Sequence, residues 1–249
     1  MKRDSSPCID IQNLEFAWEN DVSVLRIDKF VVQQGERLFL KGPSGSGKST
    51  LLGVVAGVFS ATSGEVKILG KPFHTLSAAD RDRLRADDMG VIFQQFNLVP
   101  YLTLVENVLL PCRFSPVRAS RVAPSENGRV AAAIDLLGCL GLTREVSDKR
   151  SAAELSVGQQ QRVAAARALI GGPSLIIADE PTSALDTQTR DSFIETLITE
   201  AKGAAVVFVS HDASLADRFD RTVTMDELNL IRGETKPPLT NPVQATIEA

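Results

Sequence analysis

An α/β fold around a buried parallel sheet is the class this sequence predicts, and three observations predict it. Two short runs, SLIIA (174–178) and AAVVFVS (204–210), are apolar almost throughout, as strands covered on both faces must be. Strand-like and helix-like stretches alternate along most of the chain, the order from which parallel sheets are built. A third strand-like run, ERLFLK (36–41), enters a glycine-rich turn, and the helical pattern STLLGVVAGVF (49–59) leaves it.

The remaining elements follow in order. The chain begins strand-rich, and EVKIL (65–69) and GVIF (90–93) read as short strands. The charged stretch AADRDRLRADD (78–88) reads as a solvated helix face. Between Gln94 and Gly158 the pattern turns helical, so residues 95–158 are expected to form a helical subdomain inserted into the α/β core. Within it, the polar, proline-broken CRFSPVRASRVAPSENG (112–128) predicts a loop, and RVAAAIDLLGCLGL (129–142) predicts a helix. From residue 233 onward three prolines and little periodicity predict a disordered tail, which leaves 8–232 as the folded domain.

Composition narrows the function classes. At 249 residues, 43% hydrophobic and 23% charged, the chain is long enough for a sizeable core and has an ordinary globular balance. Its net charge of -4 argues against nucleic acid as the main partner, because phosphate backbones demand a basic face. Cys8, Cys112 and Cys139 lie far apart without metal-ligand spacing and read as free thiols of a reducing compartment. No apolar run approaches the ~18 residues of a membrane helix. The opening MKRDSSPCID lacks the apolar centre of a signal peptide, so a cytoplasmic chain is expected.

The turn after ERLFLK carries the chemistry. Gly42, Gly47, Lys48 and Ser49 satisfy the pattern GxxxxGK[ST] between a strand and a helix, the context a phosphate-binding loop needs. Glycines let successive backbone N–H groups converge on phosphate oxygens, and the helix N-terminus adds positive potential. Lys48 supplies a cation for the β- and γ-phosphates of a nucleotide, and the Ser49 hydroxyl suits Mg²⁺. The acids such a site requires follow the buried run that ends at Ala178. Asp179 is placed to hold the metal and Glu180 to polarise an attacking water.

ELSVGQQQRVAAARALI (154–170) opens with Ser156 and Gln159 spaced as a capping box, and Gly158 bares the backbone beside the cap. This stretch resembles the signature motif of ABC-type ATPases, in which LSGGQ precedes QQR and an ARAL-like helix. Other motifs follow in that family's order. Gln94 in VIFQQF matches the Q-loop, SALD (183–186) with Asp186 the D-loop, and His211 in VSHD the H-loop. Trp18 in LEFAW matches the aromatic that stacks on adenine, and the resemblance runs from residue 9 to residue 231. The phrasing GPSGSGKSTLL, FQQFNLVPYLTLVENV and GQQQRVAAARAL is similar to that of the lipoprotein-releasing and macrolide-export group of exporter ATPases.

The resemblance implies a P-loop NTPase core with an N-terminal antiparallel β subdomain and the helical insert. It implies a homodimer docked head to tail with two ATP molecules at the interface. Each ATP would lie between one copy's Gly42, Pro43, Ser44, Gly45, Ser46, Gly47, Lys48, Ser49 and Thr50 and the other copy's Ser156, Gly158 and Gln159. Ser49, Gln94 and Asp179 would serve Mg²⁺, Lys48 and His211 the γ-phosphate, and Glu180 the water, while Asp186 would couple the two sites. A separate permease would carry the transport, with this chain peripheral on the cytoplasmic face of the inner membrane. Phe96, Leu98, Val99 and Tyr101, within residues 94–101, would form its docking surface. The same motifs suit an ATPase driving a membrane regulator of cell-wall enzymes without transport. They also suit a soluble, non-transport ABC ATPase, against which stand the single cassette and the acidic balance. Two departures are visible: Val157 replaces a signature glycine, and RTVTMDELNLI (221–231) is short, without a regulatory extension.

Overall fold

The computed structural model describes residues 6–18, 22–183 and 185–231. In chain order they form β1 (Ile9–Trp18), β2 (Val22–Val32), β3 (Arg37–Lys41), α1 (Lys48–Val55), β4 (Ser63–Ile68), β5 (Lys71–Pro72), α2 (Ala78–Asp88) and β6 (Met89–Ile92). Four helices follow, α3 (Leu104–Phe114), α4 (Pro116–Val122), α5 (Glu126–Cys139) and α6 (Thr143–Ser147). The rest are α7 (Val157–Leu169), β7 (Leu175–Asp179), α8 (Thr187–Glu200), β8 (Ala205–Ser210), β9 (Arg221–Thr224) and α9 (Met225–Leu228). Strands β2, β1, β4 and β5 pair antiparallel in that order. Strands β6, β7, β8, β3 and β9 form a wholly parallel sheet, also in that order.

Side-chain alternation explains why the central strands read as unbroken apolar runs. Leu38, Leu40, Leu175, Ile177, Val207 and Val209 pack toward α1 and the antiparallel sheet. Their neighbours Phe39, Ile176, Ala178, Val206 and Phe208 pack toward α3, α5, α7 and α8. Because the side-chain period of a strand is two, a sheet covered on both faces has no position left for a polar residue. The charged helix α2 buries only Leu84, as its composition implies. The tail expected from residue 233 lies outside the described residues.

Two sequence expectations are corrected. Helix α1 ends at Val55 rather than Phe59. Gly57 adopts φ +67°, its N–H bonds to the Val54 carbonyl at 2.9 Å, and the Val58 N–H bonds to the Gly53 carbonyl at 2.8 Å. This is the paired bonding of a Schellman cap, which a left-handed glycine permits. The second correction concerns residues 112–128, which are largely helical rather than a loop. Pro116 occupies the first position of α4, where a missing N–H costs nothing, and Ser115 caps it by accepting the Arg118 N–H at 2.9 Å.

Arg118 holds α4 against the core. It is 2% exposed, yet no carboxylate among the described residues bonds to it. Nε donates to the Ile170 carbonyl at 2.7 Å, Nη1 to Met89 at 2.9 Å and Nη2 to Ala168 at 2.5 Å. Ala168 and Ile170 close α7, so the guanidinium sits at the negative end of that helix dipole. Burial brings its pKa down to about 10. Gly90 lets β6 pass this closely, since a Cβ there would lie 2.3 Å from the Ala168 oxygen.

Arg118→Met is expected to lower the unfolding free energy by roughly 3 kcal/mol or more, because three buried carbonyls lose their donor at about 1–3 kcal/mol each. Urea unfolding followed by circular dichroism measures this. A loss below about 1 kcal/mol would mean that water replaces the guanidinium at these carbonyls.

Candidate active site

Parallel pairing sends the loops after β6, β7, β8 and β3 out of one edge of the sheet, and every predicted phosphate and metal residue of one chain stands there. The loop from β3 to α1 turns at Gly45 (φ 76°) and Gly47 (φ 98°), with the Ser46 N–H bonded to the Pro43 carbonyl at 3.2 Å. A Cβ on Gly42 would lie 2.7 Å from Ser46 Oγ and 2.9 Å from Met225 Cβ, so the loop is tightly backed. Lys48 is 8% exposed and donates through Nζ to the carbonyls of Gly42 at 2.7 Å and Pro43 at 2.9 Å. The buried Ser46 Oγ has no partner among the described residues. An orphan hydroxyl and an ammonium answered only by its own loop are what a phosphate would satisfy.

Across the edge, Ser49 Oγ donates to Asp179 Oδ2 at 2.9 Å. Burial raises the Asp179 pKa above the usual carboxylate range, while the Ser49 bond opposes the rise, Glu180 adds to it and Lys48 opposes it. A hydroxyl beside a desolvated carboxylate fits a hard divalent cation, whose charge would relieve that desolvation. Glu180 follows with φ 48°, a left-handed backbone that a non-glycine residue adopts only under constraint. Its Oε2 lies 2.9 Å from His211 Nδ1 at the end of β8. Asp212, next in the chain, pairs with Arg190 of α8 and accepts from the Ser214 hydroxyl at 2.7 Å, which secures the histidine's backbone. Gln94 is exposed in the turn directly after β6.

The remaining predicted residues stand elsewhere. Ser156 Oγ accepts the Gln159 N–H at 3.4 Å and Gln159 Oε1 accepts the Ser156 N–H at 2.9 Å, so the expected capping box starts α7. Gln159 also donates to Glu145 of α6 at 2.8 Å. A Cβ on Gly158 would lie 3.1 Å from Leu185 Cδ2, so that glycine makes room for the neighbouring loop as well as baring backbone. Asp186 caps α8 by accepting the Thr189 N–H at 3.0 Å. Val157 is half-exposed on the first turn of α7. Trp18 ends β1 in an aromatic cluster, 4.9 Å from the rings of both Phe16 and Phe59, and its buried indole N–H has no partner among the described residues.

Sequence reasoning missed Asn229. It is 4% exposed, accepts the Arg26 N–H at 2.9 Å and donates to the carbonyls of Val24 at 2.9 Å and Ser46 at 3.4 Å. One amide thus ties the phosphate loop to β2. The stretch RTVTMDELNLI, notable in the sequence only for its shortness, supplies this brace and Met225 behind Gly42. No spacing signal marks an asparagine 183 positions from its contact.

Because burial raises the Asp179 pKa, the folded protein holds that proton more tightly than the unfolded chain does. Stability is therefore lost as pH rises from the ordinary carboxylate range through the raised value. Asp179→Asn is expected to raise the thermal midpoint of the nucleotide-free protein at neutral pH while reducing metal-dependent nucleotide hydrolysis at least about 100-fold. Thermal melts and phosphate release measure both effects. A lowered midpoint would mean that the Ser49 bond outweighs the desolvation.

A family model described as ABC transporter matches residues 25–183. The ABC transporter ATP-binding protein YbbA of Escherichia coli (strain K12) is 42% identical over 218 residues, covering 87% of this chain and 90% of that protein. The macrolide export ATP-binding/permease protein MacB of Mannheimia succiniciproducens is 38% identical over 226 residues, covering 90% of this chain and 34% of that longer protein. Among solved structures, the ATP-binding cassette MJ0796, dimeric in a post-hydrolysis state bound to ADP and Pi, matches with a TM-score of 0.77 at 35% identity. That match covers 89% of this chain and 94% of MJ0796. At such identities over nearly the whole length the likeness extends beyond the fold, and the chain belongs to the ABC transporter family as an ATP-binding, ATP-hydrolysing subunit.

Proposed function

We propose that this ABC ATPase energises an exporter through a separate permease, working as a head-to-tail homodimer at the cytoplasmic face of the membrane. One observation carries the dimer reading: the division of the site. The sheet edge gathers Lys48, Ser49, Asp179, Glu180 and His211, whereas Ser156 starts α7, whose other end meets the turn after β6 through Arg167 and the carbonyls of Phe96 and Asn97. Thirteen helical residues place those two ends about 20 Å apart. A signature so placed completes the site of a second copy. The dimeric, ADP- and Pi-bound state of MJ0796 supports this arrangement.

In the proposed cycle the phosphates of ATP enter the loop, and the backbone N–H groups of 45–50 turn onto their oxygens. Lys48 exchanges the carbonyls of Gly42 and Pro43 for β- and γ-oxygens. Ser49, Asp179 and Gln94 would hold Mg²⁺, which when bound neutralises charge on the phosphate oxygens. Glu180 accepts a proton from the attacking water as its oxygen bonds to the γ-phosphorus and the bond to the β–γ bridging oxygen breaks. His211, already beside Glu180 Oε2, keeps that carboxylate oriented. The partner copy's signature contributes the Ser156 hydroxyl and the N–H groups behind it. Trp18 offers its indole to adenine at the end of β1.

No helix among the described residues is long and apolar enough to cross a membrane. Phe96 and Leu98 pack into the helical layer, whereas Tyr101 is 82% exposed. An open groove of about 670 Å³ runs past Phe93, Leu110, Pro111 and Phe114, and both phenylalanines are exposed. This groove, with Tyr101, is the docking face we assign to a cytoplasmic helix of the permease. Phe93 immediately precedes Gln94, so a helix seated there touches the turn that serves the nucleotide. The export direction is supported by the kinship with MacB, a macrolide export protein.

Glu180→Gln keeps the shape of the site and removes the carboxylate that takes the proton. ATP binding is expected to persist, hydrolysis to fall at least about 100-fold, and an ATP-bound dimer to accumulate. Light scattering with Mg-ATP reads the dimer directly. A variant that stays monomeric, or hydrolyses at the parental rate, would overturn the assignment.

A further inference from the structure

Arg167 has no role in the chemistry above, yet its guanidinium reaches from the last turn of α7 into the loop that follows Gln94. Nη1 donates to the Asn97 carbonyl at 2.6 Å and Nη2 to the Phe96 carbonyl at 2.5 Å. Both acceptors are non-glycine residues in the left-handed region, Phe96 at φ 57° and Asn97 at φ 50°. A phenylalanine adopts that backbone only where its surroundings impose it, while an asparagine tolerates it more readily. The Phe96 N–H closes the turn on the Phe93 carbonyl at 3.0 Å, with Gln94 and Gln95 between them. Carbonyl dipoles rather than a carboxylate answer the cation, and burial lowers its pKa.

We infer that Arg167 is a positioning residue for hydrolysis, which clamps the turn carrying Gln94 to the helix that begins at Ser156. The inference rests on the roles proposed for Gln94 and Ser156. A clamp of this kind makes α7 a rigid link between two ATP sites: a shift of its signature end on dimer closure moves the turn at its other end. Arg118 provides the contrast. Its acceptors, Met89, Ala168 and Ile170, belong to the start of a strand and the end of a helix, so its loss weakens the fold. The acceptors of Arg167 lie in a strained turn, so its loss lets Gln94 wander. Lysine keeps the charge but lacks the planar fork that grips two carbonyls at once.

The test compares Arg167→Lys, Gln94→Ala and the double variant in the full chain. Arg167→Lys is expected to bind a fluorescent ATP analogue within about twofold of the parent and to lower kcat about tenfold or more. Hydrogen exchange is expected to quicken across 94–98 and to stay unchanged in β7. The double variant is expected to turn over no more slowly than Gln94→Ala, because the clamp acts through that glutamine. Parental kcat in Arg167→Lys, or a full tenfold loss repeated on the Gln94→Ala background, would overturn the inference. Gln94→Ala turning over at the parental rate would overturn the role of Gln94 and the clamp with it, and the single variant alone reveals that case. Should the lysine variant fail to fold, Arg167→Gln, which keeps one planar donor arm, is read the same way.

Discussion

Parallel pairing of β7, β8 and β3 is the constraint on which the rest of the molecule depends. Their register sets Asp179 level with Val209, and Val209 level with Leu40. Lys41 and Ser210 pair one step further on, so Gly42 and His211 leave the sheet at the same height. Neighbouring strands are about 4.8 Å apart, which puts Asp179, His211 and Gly42 within about 10 Å of one another before any side chain is placed. A slip of one residue would break this alignment and turn each strand's buried faces over. The apolar cores on both sides of the sheet therefore fix the register, and the register fixes the site.

What the sheet aligns, more distant segments hold in place. Leu25 of β2 packs where a Cβ on Gly47 would stand, Met225 of α9 backs Gly42, and Asn229 takes the Ser46 carbonyl. Both glycines thus have a steric reason besides the approach of phosphate. The site itself runs against stability at several points. Ser46 Oγ is buried without a partner among the described residues, Asp179 is a desolvated carboxylate, and Glu180 has a left-handed backbone. Each defect faces the same edge, and the first two are of the kind that a bound nucleotide and cation would relieve. Three such defects gathered at one edge of the sheet are the pattern of a functional site rather than of poor packing.

The parts that were legible in the sequence are those whose determinants are local. The phosphate loop, the apolar runs of β7 and β8 and the Ser156–Gln159 capping box each specify themselves within a few residues. The errors came from two residue types whose meaning depends on position. Pro116 looked like a break but starts a helix, and Gly57 looked like one more helical residue but ends one. Asn229, Arg118 and Arg167 were illegible for another reason. Their partners are backbone groups, the carbonyls among them 29 to 205 positions away, and a backbone group is the same whatever residue carries it. A polar side chain that recognises only backbone leaves no complementary letter in the sequence.

On the proposed reading, the charges along the edge give a reason why one chain is not enough. Against a triphosphate the edge offers Lys48 and the N-terminus of α1, but it also presents Asp179 and Glu180. Two carboxylates beside the γ-phosphate raise its energy unless further positive potential arrives, part from a cation and part from elsewhere. On the proposed reading the rest comes from the start of a partner's α7, whose dipole points its positive end outward through Ser156. The capping box does not exhaust that serine. Its oxygen accepts the Gln159 N–H, which leaves the hydroxyl proton free to donate. A cap that orders the helix end while keeping its proton available is therefore already shaped for an anion supplied by a second copy. In that arrangement hydrolysis cannot run ahead of closure, because the donors that stabilise the transition state come only with the partner.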